Sequence, residues 1–101
     1  MKKIINGRKY DTDTAELVAE WDNGDYSDFG FICEGLYRKR TGEYFLYGRG
    51  GAQTRYAESH GATSWGGGRK IEPLSEPEAR KWAEEHCDAD TYEQIFGEVE
   101  E

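Results

Sequence analysis

Between Phe29 and Arg49 the chain reads FGFICEGLYRKRTGEYFLYGR, and no other stretch restricts the fold so tightly. Two aromatic-rich segments, Phe29 to Lys39 and Glu43 to Arg49, flank Arg40-Thr41-Gly42. This is a three-residue connection with glycine at the left-handed position of a bulged hairpin. Pairing Lys39 with Glu43 sets Tyr37 opposite Phe45 and Leu36 opposite Leu46, so like residues meet on each side of the sheet. Apolar groups on both faces predict a central position in the sheet.

The remaining elements follow from local signals. Lys2 to Asn6 and Arg8 to Thr12 flank Asn6-Gly7, a dipeptide suited to a type I′ turn. Thr12-Asp13-Thr14 is read as the cap of one helical turn over Ala15 and Glu16, followed by a strand from Leu17 to Trp21 and a loop at Asn23-Gly24-Asp25. Residues 48 to 68 hold seven of the thirteen glycines and predict a long irregular connection anchored by Tyr56 and Trp65. Arg69 to Leu74 reads as a last strand. Ser75, Pro77 and Glu78 form a capping-box pattern that opens a helix from Glu76 to Cys87 with an inward stripe of Ala79, Trp82, Ala83 and Cys87. Asp90 with Glu93 suggests the start of a second short helix, in which Tyr92, Ile95 and Phe96 point inward and Gly97 is the stop. The expected fold is a single α+β domain over residues 1–101. An antiparallel sheet of four to six strands, built from hairpins, carries two short C-terminal helices.

Aliphatic residues are scarce, with 15 Leu, Ile, Val and Phe in 101 residues and a net charge of −8, a balance that by itself suggests disorder. Three Trp, seven Tyr and four Phe reverse that reading, since each ring buries roughly 150–250 Å² and supports a core built on aromatics. The charges fall in blocks. Residues 1 to 10 hold four bases and no acid, and residues 11 to 34 hold eight acids and no Lys or Arg. Residues 35 to 70 hold seven bases against Glu43 and Glu58, and residues 71 to 101 hold eleven acids against Arg80 and Lys81. Such a molecule repels free nucleic acid and attracts basic protein surfaces within a Debye length of about 8 Å. Met1-Lys2-Lys3 leads into Ile4-Ile5 and Asn6-Gly7 without an apolar run of signal or membrane-span length, so a cytoplasmic protein is expected. Cys33 and Cys87 belong to no CxxC pair and are expected as buried thiols.

Catalysis finds no motif. His60 and His86, with Cys33, Cys87 or Ser64 as conceivable nucleophiles, stand at spacings that predict no mutual geometry. The runs Gly48-Arg49-Gly50-Gly51 and Gly66-Gly67-Gly68 match neither a P-loop nor a dinucleotide-binding turn and read as tight loop backbone. Two binding functions remain. In one, Arg38, Lys39, Arg40, Arg49 and Arg55 contact nucleic acid directly while Tyr37, Tyr44 and Tyr47 stack on bases. In the other, the acidic blocks imitate a nucleic-acid backbone and occupy a basic groove on a protein. Asp22, Asp25, Asp28 and Glu34 would then form one patch, and Glu84, Glu85, Asp88 and Asp90 another.

Ile5 to Thr12, Leu36 to Gly51 and Pro73 to Gly97 resemble a family of small acidic proteins of bacteriophages and mobile elements. The motifs that carry the likeness are turns, caps and the aromatic hairpin, so the resemblance implies no reaction and no cofactor. Small acidic phage proteins of this kind include anti-CRISPR inhibitors. The resemblance therefore implies a non-enzymatic inhibitor whose partner is a basic nucleic-acid-binding protein, a CRISPR effector complex above all. Relatives tend to carry Cys at the positions of His60 and Gly66 and an acid at that of Arg69; these departures argue against a shared metal or thiol site.

Overall fold

A computed structural model of the chain describes residues 1–59, 61 and 64–101. Its elements in order are β1 (Lys2–Ile5), β2 (Arg8–Asp11), β3 (Glu16–Asp22), β4 (Ile32–Arg38), β5 (Tyr44–Gly50), β6 (Glu58–Ser59), β7 (Trp65–Gly66), β8 (Gly68–Leu74), α1 (Glu76–His86) and α2 (Ala89–Phe96). The expected α+β architecture is present. β3, β4, β5 and β8 form a four-stranded antiparallel sheet in that order, while β1 with β2 and β6 with β7 form separate two-stranded pairs.

Turn chemistry sets the registers. Asn6 (φ 51°) and Gly7 (φ 78°) both take positive φ, as a type I′ turn demands. Gly42 (φ 92°) supplies the left-handed residue between β4 and β5, the Lys39 amide donates to the Glu43 carbonyl, and Tyr37 lies opposite Phe45 and Leu36 opposite Leu46. β4 and β5 are the central strands, as their two apolar faces require.

Each face of the sheet has its own cover. On one, Leu36, Tyr44 and Leu46 pack against Ala79, Trp82 and Ala83 of α1 and Ile95 of α2. On the other, the β1–β2 hairpin lays Tyr10 over Phe45 and Ile71, its ring edge-on to Phe45 at 5.6 Å while Tyr37 stacks on Phe45 at 5.1 Å. Phe45 and Leu36 are fully buried, one on each face.

Several boundaries depart from the sequence reading. β4 begins at Ile32 instead of Phe29, because the Asn23 carboxamide accepts from the Ile32 amide and donates to the Gly30 carbonyl, folding residues 24–31 into a loop. Phe29 is left 60% exposed. β3 is two residues longer than expected and carries a bulge between Leu17 and Ala19. Residues 12–14 form a turn closed by Asp11, whose side chain accepts from Asp13 N and whose carbonyl accepts from Ala15 N. α1 has the expected capping box at Ser75 and Glu78, with Cys87 as its C-cap. The cap of α2 is Asp88 and not Asp90: the Asp88 carboxylate accepts from Thr91 N, so Asp90 falls in the first helical turn. Residues 48 to 68 are less irregular than expected, since β5 runs to Gly50 and β6 pairs with β7. Among the described residues, no helix is long and apolar enough to cross a membrane.

Candidate interaction surfaces

The acids expected to form one patch divide between surface and core. Asp22, Asp25 and Asp28 are exposed at the loop that joins β3 to β4. Asp22 accepts from Gly24 N and Asp25 from Ser27 N. The hydrogen bonds from Ser27 hold the Asp25 carboxyl below its ordinary value. Glu34 does not belong with them. It is 7% exposed, on the helix-side face of β4 in line with Leu36, so it contributes no charge to a surface. Strand alternation explains the correction, because residues two apart on β4 share a face and Leu36 faces the core.

Glu34 organises that interior instead. Its Oε1 accepts from Trp82 Nε1 at 2.9 Å, and its Oε2 accepts from Tyr56 Oη at 2.5 Å and Arg55 Nη2 at 2.7 Å. Burial opposes its ionisation, yet the bonds from Tyr56, Trp82 and Arg55 outweigh burial and hold the carboxyl below the ordinary value. Burial and the same carboxylate push the Tyr56 phenol well up. Gly48, directly opposite Glu34, makes the contact possible, since a Cβ there would stand 1.9 Å from the Tyr56 hydroxyl. The connection after β5 thus folds back over the sheet and is pinned by Tyr56, as expected. Trp65 is no anchor; it is 63% exposed. The glycines at 48 and 50 serve close packing.

Glu84, Glu85, Asp88 and Asp90 are all exposed at the corner between α1 and α2. Among the described residues, none of them forms an ion pair with Lys or Arg, Glu85 lying 4.0 Å from His86. The Asp88 carboxyl is held below its ordinary value by its cap bonds to Thr91. Glu84 and Glu85 sit in the last turn of α1, the end at which the helix dipole disfavours negative charge.

The bases proposed for direct nucleic-acid contact are largely committed within the fold. Arg38 binds Glu16 at 2.8 Å, Lys39 binds Glu43 at 3.1 Å, and Arg55 bridges Glu34 and Glu72. Tyr44 is buried, and Tyr37 and Tyr47 are half-buried on the face that meets the β1–β2 hairpin. Arg49 stacks over Phe31 at 5.6 Å. Arg40 is exposed at the hairpin tip.

Of the residues considered for catalysis, His60 lies outside the described residues and Ser64 is exposed. His86 is sandwiched against Trp21 at 4.0 Å and Trp82 at 5.1 Å. Cys33 and Cys87 are half-buried free thiols, and burial, followed by Asp88, raises the Cys87 thiol. No group of three or more His, Cys, Asp or Glu among the described residues is arranged to hold a metal ion. Sequence reasoning missed the exposed rings. Tyr26 is 91% exposed on the β3–β4 loop and stands with Phe29 and Trp65 as uncovered aromatic surface. The Asn, Asp and Ser run from Asp22 to Asp28 was the available signal, because such residues fix a loop by their own hydrogen bonds and leave its ring unsupported. Comparison with protein-family models, curated proteins and solved structures finds no match for this chain.

Proposed function

We propose that this protein is a non-enzymatic inhibitor that sets its acidic helical corner against a basic nucleic-acid-binding surface of another protein. The observation that carries the reading is the exposure of Glu84, Glu85, Asp88 and Asp90, without Lys or Arg partners among the described residues, while most bases of the aromatic hairpin are engaged internally. Glu84 and Glu85 add weight. Acids at the negative end of a helix lower stability, which is a cost expected where the residues serve binding. Asp22, Asp25 and Asp28 form a second acidic site on the same molecule. On the resemblance to small phage proteins, the proposed target is a CRISPR effector complex whose DNA- or RNA-binding surface would be blocked.

The test is affinity capture from a bacterial lysate with identification of the partner, repeated with Glu84→Lys, Glu85→Lys, Asp88→Asn and Asp90→Asn combined. Asparagine is chosen at 88 because it also caps helices. Recovery of a nucleic-acid-handling protein by the wild type and its loss in the variant is expected. Equal recovery by both, or tight duplex DNA binding by the protein itself, refutes the reading.

A further inference from the structure

We infer that the outer edge of β3 takes up an extended basic segment of the partner, with one arginine side chain entering the groove beside that strand. This rests on the reading that the partner is a basic protein, but it uses other residues than the acids of the helical corner, which adjoins β3 where His86 packs on Trp21. β3 is an edge strand, bonded on one side to β4. Among the described residues, no other backbone hydrogen bond reaches Leu17 to Asp22. Beyond the bulge at Leu17/Ala19, the outward amides and carbonyls from Ala19 to Asp22 therefore lack backbone partners and are open to strand addition, in which main-chain bonds supply affinity and side-chain pockets supply specificity.

The pocket adjoins the same edge. Across the face away from the helices, the strand registers set Glu20, Gly35 and Tyr47 in one row, with Leu17 and Tyr37 on one side and Asp22, Cys33 and Arg49 on the other. Gly35 has no side chain, and Leu17 and Tyr37 lean over it, within 3.0 Å and 3.3 Å of where a Cβ would stand. The result is an open groove of about 430 Å³. Its β3 wall carries Glu20 and Asp22, its far wall Tyr47, and Arg49 closes one end with its guanidinium over Phe31. A guanidinium entering from the β3 side meets two carboxylates in a groove that Tyr37 and Tyr47 also line, residue types that favour arginine.

The charge pattern selects the occupant. β3 holds Glu16, Glu20 and Asp22 and no base, so two β3 edges from separate copies would bring acid against acid. A basic strand gains at the same positions. The opposite edge, β8, carries Arg69 and Lys70, but Pro73 lacks an amide to donate.

The experiment titrates the intact, isotope-labelled protein with a capped peptide of about seven residues in which arginine and threonine alternate, at physiological salt. Amide shifts at Leu17, Glu20, Asp22 and Gly35, and slowed exchange of the outward β3 amides, are expected. N-methylation of alternate peptide bonds keeps the charge but removes the ladder donors, and should weaken binding at least about tenfold. Glu20→Lys, on an exposed side chain, should weaken binding while leaving the thermal midpoint unchanged. Equal affinity of the methylated peptide, shifts confined to Glu84 and Glu85, or a β3–β8 dimer in sedimentation without peptide would each overturn the inference. The titration needs no partner protein. If the peptide fails while the helical corner still competes with duplex, only this inference falls; if the peptide binds and the corner variants keep full inhibition, only the proposed function falls.

Discussion

Replacing Glu34 with alanine tests the interior of the molecule, because one carboxylate satisfies three donors there. Trp82 is 8% exposed and Tyr56 5%, so the indole N–H and the phenol O–H lose their acceptor in a place water reaches poorly. An orphaned buried donor costs about 1–3 kcal/mol. Arg55 is half exposed and keeps Glu72, so its share is small. The sum is about 2–6 kcal/mol, a large part of the roughly 5–15 kcal/mol that holds a domain of this size. Urea unfolding followed by tryptophan fluorescence reads the loss directly, with the Trp82 indole resonance reporting the local bond. Tyr56→Phe removes one bond to the charged carboxylate and should cost less than alanine at 34, about 1.5–3 kcal/mol. The pH dependence carries a definite sign. Glu34 is held below its ordinary value in the fold, so its ionised form contributes stability above the unfolded glutamate value of about 4.3, and this fades as pH falls through the folded value. Glu34→Gln should therefore flatten the acid limb of stability relative to wild type. A loss below about 1 kcal/mol for Glu34→Ala, with the indole resonance unmoved, refutes the reasoning.

Three further substitutions probe the rest. Gly48→Ala drives a methyl into the Tyr56 ring and its hydroxyl and should cost about 1–3 kcal/mol in urea unfolding; because phenylalanine keeps the ring carbons that the methyl meets, Tyr56→Phe should not restore the loss. Ser75→Ala breaks the capping box of α1 and should cost about 1 kcal/mol by the same assay, while Ser75→Asp should be nearly neutral. Glu84→Lys places a cation at the C-terminal end of α1 and should raise stability by about 0.3–1 kcal/mol, seen as a higher thermal midpoint. A stabilised variant that loses partner binding separates function from fold.

The features legible in the sequence are those fixed locally. Gly42 and the Lys39–Glu43 closure set the register of the central hairpin, Asn6-Gly7 set the first turn, and Ser75 with Glu78 set the start of α1. Features set by distant groups were not legible. The start of β4 depends on the side chain of Asn23, nine residues away, and the slot at Gly48 has meaning only once Tyr56 returns to fill it. Glu34 looked like part of an acidic run because neighbouring charges dominate the composition there; its place on the face of Leu36 overrides that, and its partners lie 21, 22 and 48 residues away. At α2, Asp88 and Asp90 both suit a cap, and the three-residue reach from Asp88 to the Thr91 amide decides between them. The acidic corner itself was readable, since helix periodicity left Glu84 and Glu85 on the wet side.

The most direct test of the central claim is a competition measurement between this protein and duplex DNA for the purified partner. A shared basic surface predicts that the apparent Kd for the duplex rises in proportion to the protein added, and that the variant combining Glu84→Lys, Glu85→Lys, Asp88→Asn and Asp90→Asn has no effect. A ternary complex in which partner, duplex and protein bind together with unchanged affinities would contradict it.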